Sequence, residues 1–80
     1  MQVKDAEEAI AIAKRFARET TSRLFWKDVL ECAYDEKQKA WRVIYQAAPS
    51  VLSPYYTYEV LIDAETGKVV SSRRLEKGVA

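Results

Sequence analysis

Between residues 55 and 70 the chain alternates. Tyr56, Tyr58, Val60 and Ile62 interleave with Thr57, Glu59, Leu61 and Asp63, a period of two that places the first set on one face of a β-strand. Aromatic and β-branched side chains suit a pleated, half-buried surface. The run stops at Asp63-Ala64-Glu65-Thr66-Gly67. Gly67 accepts the positive φ that a short hairpin loop needs, and the Asp63 and Thr66 side chains can accept hydrogen bonds from loop amides. A four-residue loop pairing Asp63 with Lys68 sets Ile62 opposite Val69 and Val60 opposite Ser71. Strands are expected over about residues 55–63 and 68–75.

A different period governs the start of the chain. Ala6, Ala9, Ile10, Ala13, Phe16 and Ala17 recur at helical spacing and form one apolar stripe. Asp5 suits an N-cap, with Glu8 three residues on in a capping-box pattern. Glu7 and Glu8 favour the positive end of the helix dipole, and Lys14, Arg15 and Arg18 lie toward its negative end. The pattern predicts a helix over 5–21, ended by Thr20, Thr21 and Ser22, residues that compete for backbone hydrogen bonds. Its stripe is mostly alanine, so its axis can approach a sheet closely. A rod of about 25 Å matches the length of a strand of about eight residues, so one helix covers one sheet face.

Two more strands are expected over about residues 25–34 and 41–47. In the second, Trp41, Val43, Tyr45 and Ala47 share a face. The phase of the first is ambiguous. An even-numbered turn between them sets Tyr34, Cys32 and Leu30 opposite Trp41, Val43 and Tyr45. The other parity would put Glu31 opposite Val43 on the core face, burying an unpaired charge. Leu30, Cys32 and Tyr34 are therefore expected inward, subject to any bulge. Pro49 and Pro54 bracket the connection to the last hairpin and forbid a continuous ladder there.

Eighty residues make one domain, spanning 1–80, that buries only roughly 60% of its unfolded surface. The net charge of +1 gives no global case for nucleic acid or an anionic membrane. Histidine is absent, which removes the commonest general base and zinc ligand. Cys32 is the only cysteine, so one chain can form neither a disulfide nor a cysteine metal site. No run of 18 apolar residues and no signal-peptide core is evident. As written the chain reads as cytoplasmic; an exported setting fits if it is an excised piece of a longer protein.

The order helix and four strands, with Glu8-Ala9-Ile10-Ala11-Ile12-Ala13, Trp41-Arg42-Val43 and Tyr58-Glu59-Val60-Leu61-Ile62-Asp63-Ala64-Glu65-Thr66-Gly67-Lys68-Val69, resembles the PepSY domain family over residues 5–72. The last stretch carries most of the likeness. The resemblance implies an α+β fold, one N-terminal helix packed across a four-stranded antiparallel sheet in a cystatin-like arrangement. It also implies a non-enzymatic role, with modulation of peptidases proposed for such domains, and it supplies no catalytic residues.

One helix leaves the other sheet face bare, where Ile44, Leu61 and Val70 read either as scattered exposed apolar residues, which are normal on proteins, or as an apolar strip for a second copy or another partner. The segment holding Val51, Leu52 and Tyr55 has two readings: it folds over the open end of the core, or it anchors a protein or peptide partner. An outer strand could also accept a peptide by strand addition. Lys68, Arg73, Arg74 and Lys77, with Lys14, Arg15, Arg18 and Arg23, read as solvated surface. Nucleic-acid binding would need them on one face beside Trp26 or a tyrosine. Asp28, Glu31, Asp35 and Glu36 read as solvated charges around a turn. The expectation is a small non-catalytic interaction or regulatory module, one that modulates a peptidase or binds a peptide. It has no cofactor, no metal and no membrane partner. The alternatives are a homodimeric structural domain without ligand and a weak nucleic-acid binder.

Overall fold

The computed structural model describes residues 2–20 and 25–75. Thr21, Ser22, Arg23 and Lys77, which entered the sequence reading, lie outside them. Helix α1 spans Ala6–Thr20. The Glu8 amide donates to Asp5 Oδ1 at 2.9 Å, and Glu8 Oε1 accepts from the Lys4 amide at 2.7 Å. The box thus closes one residue before the cap, and satisfies two amides that the helix cannot. At the other end the Thr20 hydroxyl turns back onto the Phe16 carbonyl at 2.9 Å.

Strands β1 (Phe25–Asp35), β2 (Ala40–Ala48), β3 (Tyr56–Asp63) and β4 (Val69–Leu75) form one antiparallel sheet in the order β1-β2-β3-β4. The helix packs on one face of it, an α+β arrangement. Ala9, Ala13 and Ala17 are buried in a cluster with Val43, Val60 and Ile62, flanked by Ile10 and Phe16. Fully burying each of these large aliphatics contributes about 1.5–3 kcal/mol. Val3 joins the cluster, tied by its amide to the Ala64 carbonyl at 2.8 Å and by its carbonyl to the Trp41 indole N–H at 3.2 Å.

The last hairpin has the expected loop. Asp63 N–H donates to the Lys68 carbonyl at 2.8 Å, and Gly67 has φ 78°. Asp63 Oδ1 accepts from the Glu65 and Thr66 amides at 2.8 and 3.1 Å. Ile62 pairs with Val69. Beyond that point Val70 is an extra residue, so Val60 pairs with Ser72 rather than Ser71, and Leu61 with Ser71 rather than Val70. The slip brings Arg73 opposite Glu59, where the two charges meet. In the unslipped register Glu59 would face Ser72.

Strand β1 departs further. Tyr34 pairs with Trp41 and Cys32 with Val43, as the even-numbered turn requires. Leu30 does not turn inward: it is the extra residue of a bulge, 53% exposed, and Val29 pairs with Tyr45 instead. A second bulge at Lys27 returns Trp26 to the helix side, opposite Ala47. The reason lies two residues before Leu30. Unbroken alternation would carry Asp28 onto the core face. The paired bulges place Asp28 opposite Gln46 on the open face and bring the indole in. Among the described residues no helix is long and apolar enough to cross a membrane.

Two positive-φ positions should respond oppositely to substitution. Gly67→Ala is expected to cost about 1 kcal/mol through left-handed strain. Lys39, at φ 51° in the first turn, should gain roughly 0.5–1 kcal/mol as Lys39→Gly, strain relief outweighing the added freedom of the unfolded chain. Urea titration of both variants against wild type checks the pair. Ala13→Leu, at the centre of the alanine contact, is expected to lose about 1–3 kcal/mol by overpacking, read as a fall in the same midpoint.

Candidate functional site

The connection between β2 and β3 is a preformed turn. The Ser53 amide donates to the Ser50 carbonyl at 3.3 Å, and the Ser50 amide donates to Ser53 Oγ at 3.3 Å. Pro49 and Pro54 fix φ on either side. Val51 and Leu52 occupy the two central positions and are 76% and 96% exposed. They do not fold over the core. Tyr55, half exposed beyond the second proline, completes the tip.

Cations and rings surround the base of this tip. The Lys27 ammonium lies 5.0 Å from the Tyr55 ring centroid, and the Arg74 guanidinium 4.5 Å from that of Tyr56. Tyr56 is joined across β2 to Trp26, since both pair with Ala47. Lys14 of α1 lies 5.7 Å above the Trp26 ring, which also stacks on Tyr45 at 4.3 Å. Arg18 lines the same shallow depression as Lys14 and Trp26. Such ring–cation contacts contribute about 0.5–1 kcal/mol each at exposed sites and fix where the charges sit. Sequence spacing could not have found them. Lys27 and Tyr55 meet because a bulge in one strand and a proline before another bring them to the same end.

The open sheet face has a different character. Glu59, 8% exposed at its centre, holds Arg73 Nε at 2.8 Å and lies 3.7 Å from Arg42 Nη1; Arg42 in turn lies 3.6 Å from Glu31. Ile44 and Leu61 are half-buried among these charges. Val70 is exposed in the β4 bulge and does not pair with Leu61, so the three residues do not form a continuous strip. The two arginines adjacent in sequence part company: Arg73 joins the open face while Arg74 lies over Tyr56 on the helix side.

Other candidates are engaged elsewhere. The Asp28 carboxylate accepts from the Val29 amide at 2.8 Å inside the bulge. Asp35 Oδ1 caps the first turn, accepting from Lys37 and Gln38 amides at 2.9 and 3.3 Å, and these bonds, the Gln38 amide's first, hold its carboxyl below the usual range. The Cys32 thiol faces the helix, 3.9 Å from the Ala6 carbonyl, and burial pushes it up. Among the described residues no three His, Cys, Asp or Glu side chains gather as metal ligands. An open groove of about 630 Å³ lies at the turn end against Val3, Tyr34, Lys39, Trp41 and Ala64.

Comparison with protein-family models, with curated proteins and with solved structures returns no match.

The aromatic row has a titration signature. Burial, reinforced by the neighbouring Tyr58 phenol, pushes Tyr45 from 10.0 up to about 12. A folded value above the unfolded one contributes stability that is whole below pH 10 and lost as pH rises to about 12. Tyr45→Phe is expected to flatten the alkaline loss over that window, measured by urea titration at stepped pH; an unchanged slope refutes the assignment.

Proposed function

We propose that this chain is a small non-catalytic interaction module that engages a protein or peptide partner through the tip formed by Val51, Leu52 and Tyr55. One observation carries the reading. A turn held by two serines and two prolines presents adjacent aliphatic side chains to solvent at 76% and 96% exposure, where they contribute nothing to the core. Preorganisation lowers the ordering cost of binding, and apolar or aromatic anchors on a rigid frame suit a partner's pocket. The PepSY resemblance supports the non-enzymatic part of this reading and suggests a regulatory setting, a peptidase or a peptide being the partner. So does the state of Cys32, whose thiol is directed at a backbone carbonyl and pushed away from the thiolate.

The double variant Val51→Ser, Leu52→Ser tests it. Both side chains are exposed, so stability should stay within about 0.5 kcal/mol of wild type. In parallel affinity enrichments from the native cell extract, the variant should lose the proteins that wild type retains. A stability loss above about 2 kcal/mol would return the tip to the core. Identical sets of retained proteins would remove the tip from binding.

A further inference from the structure

Resting on the tip as the contact point, we infer that its partner is an acidic polypeptide segment, one whose carboxylates meet the cations around the tip while its apolar side chains meet Val51 and Leu52. The net charge of +1 conceals an uneven distribution. Lys27 beside Tyr55, and Lys14 and Arg18 beside Trp26, lie at the tip's end of the domain. Among the described residues the acids are placed elsewhere. Asp5 and Glu8 cap the helix start, and Asp35 and Asp63 cap the two turns at the far end. Glu31 and Glu59 are held by arginine on the open face. Asp28, the nearest acid on β1, is turned to the open face and bound to the Val29 amide. Glu19 lines a separate depression with Phe16, Gly67 and Val69.

Charge complementarity of this kind guides encounter and rejects partners of the wrong sign. The rings themselves argue for a polypeptide over single-stranded nucleic acid. A base needs a free ring face, and the Trp26 ring is already stacked on Tyr45 and approached by Lys14. The adjoining Arg73, which would extend a phosphate track along β4, is bonded to Glu59 on the opposite face. The most exposed side chains at this end are aliphatic, which stack on nothing and fill pockets well.

The test is selection of random peptides displayed on phage against the intact chain, followed by synthesis of the selected peptides. The expected sequences combine Asp or Glu with large apolar residues. Their affinity should fall by about tenfold or more in Lys14→Glu, Lys27→Glu, and as salt rises from about 0.05 to about 0.5 M. The control Lys4→Glu, Lys37→Glu makes the same charge change at the far end and should leave affinity near wild type. Peptides that need Val51 and Leu52 but ignore the Lys14 and Lys27 reversal would overturn the acidic partner and leave the tip reading standing. Peptides indifferent to Val51→Ser, Leu52→Ser would overturn both. Failure to select any peptide, or tighter binding of an oligothymidylate or of phosphatidylglycerol vesicles with the same variant dependence, would overturn the polypeptide.

Discussion

The close contact between an alanine-surfaced helix and the valine and isoleucine side chains of β2 and β3 is the constraint on which the molecule rests. Ala9, Ala13 and Ala17 have no side chain beyond Cβ, so the helix axis settles near the sheet and Val43, Val60 and Ile62 are sealed beneath it. A chain of this size has few large side chains to bury, and a short approach distance makes each count. Among the described residues, the same economy leaves nothing to cover the reverse of the sheet. That face is served by Glu59 and its two arginines, a polar arrangement in which the nearly buried carboxylate has a partner on either side.

Three single-residue bulges then decide which side chains appear where. Those at Lys27 and Leu30 exchange Leu30 for Val29 on the helix side, keep Asp28 out of the core and recover Trp26. The one at Val70 sets Arg73 against Glu59 and sends Arg74 to Tyr56. Without them the cations of the tip end and the ion pairs of the open face would not exist in their present form. Charge segregation in this protein is a product of strand register, not of charge clustering along the chain.

That is also the boundary of what could be read from sequence. Local signals were legible where one force dominated: the alanine stripe, the Asp5 cap, the Asp63–Gly67 loop and the alternation of β2 and β3 all appear as their periods and turn residues imply. The inward placement of Cys32 and the pairing of Tyr34 with Trp41 followed from turn parity and the cost of burying Glu31, but Tyr34, expected inward, stays 45% exposed at the end of the strand. Leu30 and Val70 were misplaced because a bulge carries no residue signature here. Its only trace was negative, the carboxylate of Asp28 waiting in the path of the alternation. The tip segment was visible as apolar residues between prolines, with its two readings undivided; the serine hydrogen bonds and the outward aliphatic pair depend on geometry that spacing does not encode. Lys27 went unremarked because its ring partner is distant in sequence.

The bulges fall on β1 and β4, the two outer strands, whose rims are unpaired among the described residues. A straight rim is a template onto which another chain can add hydrogen bonds without limit, and a small sheet rich in tyrosine and valine is exposed to that hazard. Each kink interrupts the row of free amides and carbonyls and twists the rim away from a flat neighbour. The irregularities that direct the side chains therefore also work against fibrillar stacking.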